Sequence, residues 1–143
     1  MHDAAIQTAR PTLPGNLSLW TGRILSGIAI AFFLLDAGMK LVPVQPVTDT
    51  MAQLGWPTDL VTVRCLGLVM IASILLYAYR PTALLGAILV TGYLGGAVAT
   101  HARVGSPILT HTLFGIYIGI LVWAGLWLRM PRLRQLLPML SAE

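Results

Sequence analysis

The sequence has 143 residues, of which 57 % are hydrophobic and only 10 % are charged. Soluble domains carry roughly 25 % charged residues, so this composition excludes an ordinary soluble protein and indicates an integral membrane protein. The net charge is +4, but the basic residues form no stripe, which argues against nucleic acid as a partner. The single cysteine, Cys65, excludes an intramolecular disulfide and a dithiol redox centre.

Four apolar segments follow one another along the chain, separated by charged residues and prolines. A helix needs about 20 mostly apolar residues to cross the hydrocarbon core of a bilayer. We therefore predict four transmembrane helices near residues 20–41, 60–79, 82–102 and 109–129, preceded by a polar tail, residues 1–19. Because the links are short, the simplest fold is an all-α, antiparallel four-helix membrane bundle.

The basic residues predict the orientation of this bundle. With four spans, both termini lie on one side of the membrane, together with Arg10, Arg23, Arg80, Arg129, Arg132 and Arg134. The other side holds Lys40, Arg64 and Arg103. Because cytoplasmic loops carry an excess of Lys and Arg, both termini are predicted inside, in a bacterial inner membrane.

Two segments outside the spans have their own patterns. The longest link, residues 42–59, is predicted to form two helical turns from Val47 to Leu54, capped by Thr48 or Asp49, with Trp56 as an aromatic anchor at the outer interface. The C-terminal segment, residues 130–143, alternates Arg with Leu and is predicted to lie as an amphipathic segment on the inner surface.

Ionisable residues fall near the outer end of every predicted span. Asp36 and Lys40 are four residues apart, so they project from one helix face and can pair. An ionised side chain near the bilayer centre costs about 3 kcal/mol, so such residues avoid lipid. We expect them to converge on a half-buried network open to the outside, together with Arg64, His101, Arg103 and His111.

Several chemistries are open to this network. A metal site could use Asp36, His101 and His111, but three nearby cations would repel the ion, and a bis-histidine haem would sit at the aqueous edge; neither is favoured. An anionic or carbonyl-bearing amphiphile suits it better: a quinone head group, a carboxylate or a lipid phosphate. The structural alternatives are that the Asp36–Lys40 pair only fixes the rotation of its helix and that Lys40 and Arg103 extend to lipid head groups.

Small residues recur at helical spacing. Gly92 and Gly96 are four apart in the third span, and Gly115 and Gly119 in the fourth. Such patterns let membrane helices approach closely. We expect them to pack the bundle, to form a homo-oligomer, or both.

The chain resembles the DoxX-like family of small four-helix membrane proteins. The resemblance rests on Phe32–Lys40 (FFLLDAGMK), Leu54–Pro57 (LGWP) and Tyr93–Gly105 (YLGGAVATHARVG), and it covers residues 20–129. It implies a redox-associated membrane subunit, since families of this group are named for a subunit of quinone-coupled thiosulfate oxidation. Some relatives use cysteine pairs, which this sequence lacks.

Three functional hypotheses follow. The first is a membrane subunit that binds a quinone-like or other amphiphile on the outer side and serves a partner oxidoreductase. Its expected ligand contacts are Lys40, Trp56, Arg64, Tyr93, Arg103 and His111. The second is an enzyme acting alone on a lipophilic small molecule, with Asp36 or His101 as general acid or base. The third is an assembly protein whose polar network is structural.

Overall fold

The computed structural model describes residues 15–42 and 44–136, and within them the regular structure is entirely helical. The helices are α1 (Asn16–Leu41), α2 (Gln45–Gln53), α3 (Leu60–Ala78), α4 (Ala83–Arg103), α5 (Phe114–Arg129) and α6 (Pro131–Leu136). A 3₁₀ turn, Arg80–Thr82, precedes α4, and a π-helical turn, Ile108–Thr112, precedes α5.

Four segments are long and apolar enough to cross a membrane, as the sequence predicts. They are Asn16–Leu41, Leu60–Ala78, Arg80–Arg103 and Ile108–Arg129. Helix α1 packs against α3 and α5, and α4 packs against the same two helices, which closes a four-membered ring. The predicted all-α, four-span bundle is therefore confirmed, and the chain is an integral membrane protein.

The interior of the ring is a continuous apolar core. Its fully buried side chains include Phe33, Met70, Ile74, Val122 and Leu126. Large apolar side chains also cover the outside of the same helices, among them Ile28, Val61, Leu68, Ile88 and Ile120. A surface of this kind suits hydrocarbon and not water, because exposing so much contiguous apolar area to water is unfavourable.

Helices α1 and α5 approach each other closely at two glycines. A Cβ atom added to Gly22 would lie 2.7 Å from the backbone nitrogen of Arg129, and one added to Gly125 would lie 2.6 Å from Oγ of Ser26. The predicted packing face of α4 behaves differently, since a Cβ atom at Gly92 or Gly96 would meet nothing within 4 Å. Those two glycines line a cavity instead of contacting a neighbouring helix.

A buried polar network joins three of the spans. The hydroxyl of Tyr77 in α3 donates to the carbonyl of Val122 in α5 at 2.9 Å and bonds Oγ of Ser26 in α1, also at 2.9 Å. Nη2 of Arg129 donates to the carbonyl of Tyr77 at 2.8 Å, and the guanidinium lies over the Tyr77 ring. This network ties α1, α3 and α5 together in the half of the bundle opposite the α2 segment.

The structure corrects the sequence analysis at several element ends. Helix α1 begins at Asn16, inside the predicted polar tail. Helix α2 begins at Gln45 rather than Val47, and the predicted caps Thr48 and Asp49 are wrong, because Val44 precedes the helix and no side chain caps it. The sequence signal was Pro46, whose fixed φ suits the first turn of a helix.

The predicted terminal segments are only partly described. Helix α6 lies within the predicted C-terminal segment, with Leu133 buried against the core and Arg132 exposed. That arrangement agrees with an amphipathic segment over these residues. The rest of that segment, residues 137–143, lies outside the described residues, as does most of the predicted polar tail, residues 1–14.

Candidate functional site

A cavity of about 560 Å³ lies at the end of the bundle where α1 and α4 finish and α3 and α5 begin. We call this the cavity end. All four spans contribute to the wall, and α2 lies against it through Pro46, Val47, Thr50 and Met51. The volume is within the range of sites that hold cofactor-sized molecules.

Most of the cavity wall is apolar, and much of it is aromatic or methionine. The ring centroid of Phe32 lies 5.6 Å from that of Phe114 across the α1–α5 seam, in an edge-to-face arrangement. Met39 and Met70 line the same space. Such a wall favours a ligand with a large apolar or aromatic part, since aromatic rings and thioethers both make favourable contacts with flat rings.

The charged part of the cavity wall is an ion pair within α1. Nζ of Lys40 lies 2.5 Å from Oδ1 of Asp36, one helical turn away. The Lys40 side chain is 13 % exposed and that of Asp36 is 29 % exposed, so both are largely removed from solvent. Each partner keeps hydrogen-bonding capacity, because an ammonium has three donors and a carboxylate has a second oxygen.

Two histidines face each other at the junction of α4 and the π-helical turn. Their ring centroids, on His101 and His111, are 5.9 Å apart. Nδ1 of His101 bonds the Ser106 hydroxyl at 3.0 Å, and Nδ1 of His111 bonds the Thr110 hydroxyl at 2.8 Å. Among the described residues neither Nε2 atom has a hydrogen-bond partner, so both rings keep one nitrogen for a ligand.

Tyr93 and Trp56 add two more polar atoms to the wall. The half-buried Tyr93 interacts electrostatically with Asp36, and its hydroxyl has no hydrogen-bond partner in the part of the chain that the structure describes. Trp56 donates from Nε1 to the Thr100 hydroxyl at 3.4 Å, which connects the link before α3 to α4. Tyr93 is therefore available to a ligand, while Trp56 is held in place by α4.

Arg64 and Arg103 occupy a different position from the other predicted site residues. Nε of Arg64 donates to the carbonyl of Leu41 at 3.2 Å, and Nη2 of Arg103 donates to the carbonyl of Leu54 at 2.6 Å. Neither residue lines the cavity. These two guanidinium groups instead hold the two ends of the segment that contains α2.

The site thus brings six of the eight predicted residues to one cavity: Asp36, Lys40, Trp56, Tyr93, His101 and His111. Sequence reasoning placed the helical turns of α2 at the outer interface and missed that they line the cavity, where Met51 is buried. Within residues 15–42 and 44–136 no three His, Cys, Asp or Glu side chains are grouped so that they could hold a metal ion. The arrangement can recognise a small polar head within an apolar enclosure.

Comparisons with known proteins place these residues in a family. No curated protein and no solved structure matches the chain. The sequence model of the DoxX-like family matches residues 24–125, a range that includes the cavity residues of α1, α3, α4 and α5. Since this range covers most of the chain, the protein belongs to the DoxX-like family.

Proposed function

We propose that this protein is a membrane subunit that binds an amphiphile with a flat, oxygen-bearing head of the quinone type, and that it serves a partner oxidoreductase. One observation supports this most directly. A small patch of hydrogen-bonding groups, on Asp36, Lys40, Tyr93, His101 and His111, lies in the wall of an otherwise apolar cavity. That combination suits a ligand with polar oxygens on an apolar body.

The donors and the aromatic wall have separate roles in this proposal. Lys40 and Tyr93 donate to head-group oxygens, and an Nε2–H of either histidine supplies a further donor when that nitrogen is protonated. Phe32 and Phe114 contact the faces and edges of the ring. The Asp36–Lys40 pair is close to neutral overall, which favours an uncharged carbonyl head over a second buried anion.

The charges at the two ends of the bundle support an inner-membrane orientation with the cavity end outside. The described acidic residues, Asp36, Asp49 and Asp59, all lie at the cavity end. Basic residues within the described ranges are more numerous at the opposite end, with Arg23, Arg80, Arg129, Arg132 and Arg134 there and Lys40, Arg64 and Arg103 at the cavity end. An excess of basic residues marks the cytoplasmic side.

Cysteine labelling tests this orientation. In a Cys65→Ser background, Thr58→Cys lies in an exposed link at the cavity end and Arg132→Cys is exposed at the opposite end. In intact cells we expect an impermeant maleimide to label Thr58→Cys and to label Arg132→Cys only after the cells are permeabilised. The reverse pattern would contradict the proposed orientation.

Ligand identification tests the binding function. We would purify the protein in lipid nanodiscs, extract one portion with solvent and identify the co-purifying molecules by mass spectrometry. A second, unextracted portion is titrated with decylubiquinone. We expect binding by the wild type and loss of binding in Asp36→Asn/Lys40→Met. The matched control is Asp49→Asn/Arg80→Met, which removes one acid and one base from exposed positions outside the cavity. No binding by the wild type, or equal binding by both double variants, would refute the proposal.

A second candidate is an enzyme that acts alone on a lipophilic molecule. The observation that favours it is the presence of Asp36 and His101 in one cavity, with Nε2 of His101 unbonded within the described residues. Asp36→Asn and His101→Ala separate the two functions. If the protein is an accessory subunit, the purified wild type alone shows no turnover. If it is an enzyme, the purified wild type turns substrate over and each substitution abolishes that turnover.

A further inference from the structure

Lys40 is the only lysine in the sequence, and the other eight of its nine basic residues are arginines. Five of the described arginines are exposed, whereas the Lys40 side chain is 13 % exposed and lines the cavity. A guanidinium keeps its proton in proteins, but an ammonium can release one and become a nucleophile. The one side-chain amine of this sequence therefore lies where a small molecule in the cavity would meet it.

The Asp36 carboxylate is placed to take a proton from that amine. Its Oδ1 lies 2.5 Å from Nζ of Lys40, and Asp36 is the only acidic side chain among the described residues that line the cavity. In a poorly hydrated site, moving the proton from the ammonium to the carboxylate turns two charged groups into two neutral ones, which offsets part of the cost of the transfer. A nucleophile within hydrogen-bond reach of a base is the arrangement that covalent chemistry needs.

The rest of the cavity wall suits an uncharged carbonyl compound with an apolar body. Phe32, Met39 and Phe114 provide apolar and aromatic contacts. The hydroxyl of Tyr93, which has no hydrogen-bond partner within the described residues, lies in the same wall and can donate to a carbonyl oxygen. An imine forms with loss of water and is hydrolysed by water, so a mostly apolar wall also favours the imine over its hydrolysis.

We infer that Lys40 captures a lipophilic aldehyde as a Schiff base, with Asp36 as proton acceptor, proton donor and finally counter-ion. Nζ first gives a proton to Asp36 and attacks the carbonyl carbon, so that the C–N bond forms and the oxygen takes a proton from the nitrogen. The protonated Asp36 then donates to the resulting hydroxyl, the C–O bond breaks and water leaves. One ammonium and one aldehyde thus yield one protonated imine and one water, with no oxidant or reductant.

The substrate class is an aldehyde with an alkyl or aryl body small enough for a cavity of about 560 Å³. An anionic aldehyde is disfavoured, because the Asp36–Lys40 pair offers it no net positive charge and the remaining wall is mostly apolar. This chemistry does not depend on the proposed quinone-type ligand, since it needs only the amine, the carboxyl group and the apolar wall.

Reductive trapping tests this inference. The protein is placed in nanodiscs of phosphatidylcholine and phosphatidylglycerol, which have no primary amine. It is treated with decanal and cyanoborohydride, which reduces a protonated imine to a stable secondary amine, and chymotryptic peptides are read by mass spectrometry. Glyoxylate, an anionic aldehyde, is the comparison probe. The control variant is Arg80→Lys, which places an amine at an exposed position of the opposite end.

In the wild type we expect one decyl group on Lys40. With rates scaled to the amine that Arg80→Lys introduces, glyoxylate should react with Lys40 roughly ten-fold more slowly than decanal does, because an anion is costly to bring into an apolar wall. Asp36→Asn leaves the protonated imine without its counter-ion in a mostly buried position, so decanal should label Lys40 roughly ten-fold more slowly in that variant. Lys40→Arg keeps the positive charge and should take up no decyl group at residue 40.

Three outcomes would overturn the inference. The first is labelling of the Arg80→Lys amine by decanal without labelling of Lys40. The second is an equal scaled rate for the two aldehydes, since Lys40 would then be an ordinary accessible amine, and the third is an unchanged rate in Asp36→Asn. The comparison of the two aldehydes at Lys40 uses no cavity variant, so it stands even if Asp36→Asn does not fold. Decylubiquinone takes no part in it, so this result and that of the proposed function fail or hold separately.

Discussion

Nη2 of Arg103, the last residue of α4, donates to the carbonyl oxygen of Leu54 at 2.6 Å. The next residue, Gly55, has a φ of 71°, and a Cβ atom there would lie 3.2 Å from the same guanidinium nitrogen. A glycine at this position therefore allows both the turn and the bond. Because α2 contributes Met51 alone to the buried residues, the segment that covers the cavity depends on such bonds at its ends.

We predict that Arg103→Leu loosens the α2 segment. An exposed interaction of a charged group contributes about 0.5–1 kcal/mol. The fraction of molecules in which the α2 segment is detached from the cavity should therefore rise roughly three-fold. The measurement is the rate of chymotrypsin cleavage after Leu54 in nanodiscs. Arg80→Leu, which removes an exposed arginine at the opposite end, is the control and should be cleaved like the wild type. Equal rates for both variants would show that Arg103 does not hold the segment.

We predict that Asp36 and Lys40 are energetically coupled. Lys40→Met leaves the Asp36 carboxylate without its partner in a mostly buried position, so that variant should lose stability. The double variant Asp36→Asn/Lys40→Met should be more stable than the sum of the two single changes predicts, by about 1 kcal/mol. Unfolding in a denaturing detergent, followed by helical circular dichroism, measures all four proteins. Additive effects would mean that the two charges act independently.

The four-span fold could be predicted from the sequence because it depends on long-range composition. Uninterrupted apolar stretches and the prolines between them mark the spans, and this signal depends little on the identity of any single residue. The start of α2 could not be placed so well, because the preference of Thr48 and Asp49 for a cap position was weaker than the effect of Pro46 at the first turn. The prediction that Gly92 and Gly96 pack against another helix of the chain was also wrong. Residue spacing alone does not tell which face of a helix meets a neighbouring helix and which face lines a cavity.

The sequence predicts how far along each span the site residues lie, but it does not predict where their side chains point. The sequence places Arg64 and Arg103 at the same level as Asp36, and the structure keeps them there. Their long side chains, however, turn to the carbonyls of Leu41 and Leu54, which lie at chain ends that only the tertiary structure brings near. His101 and His111 meet because the π-helical turn follows Pro107, and no periodicity in the sequence signals that turn.

We predict that Tyr77→Phe weakens the bundle without changing the cavity. Tyr77 is fully buried, and its hydroxyl bonds both Ser26 and the carbonyl of Val122. Loss of that hydroxyl leaves the Ser26 hydroxyl unpaired in the core, which should cost about 1 to 3 kcal/mol. The unfolding midpoint should fall, and decylubiquinone binding should stay as in the wild type. Tyr79→Phe changes an exposed tyrosine and serves as the control; an equal midpoint for the two variants would contradict the role of Tyr77.

Asp59 gives the stability of α3 a dependence on pH. Its carboxylate accepts a hydrogen bond from the backbone N–H of Thr62 at 2.9 Å, and this bond, together with one from the Thr62 side chain, lowers the pKa of Asp59 below its ordinary value. A carboxyl with a lowered pKa in the folded state stabilises that state above the unfolded-state pKa of about 3.9, and this contribution is lost as the pH falls through the folded value. We expect the unfolding midpoint of the wild type to drop between about pH 5 and pH 3, and Asp59→Asn, which caps the helix without a charge, to show a smaller drop. Asp49→Asn, a change at an exposed residue of α2, should keep the full drop, and a wild-type profile in Asp59→Asn would show that the cap does not cause it.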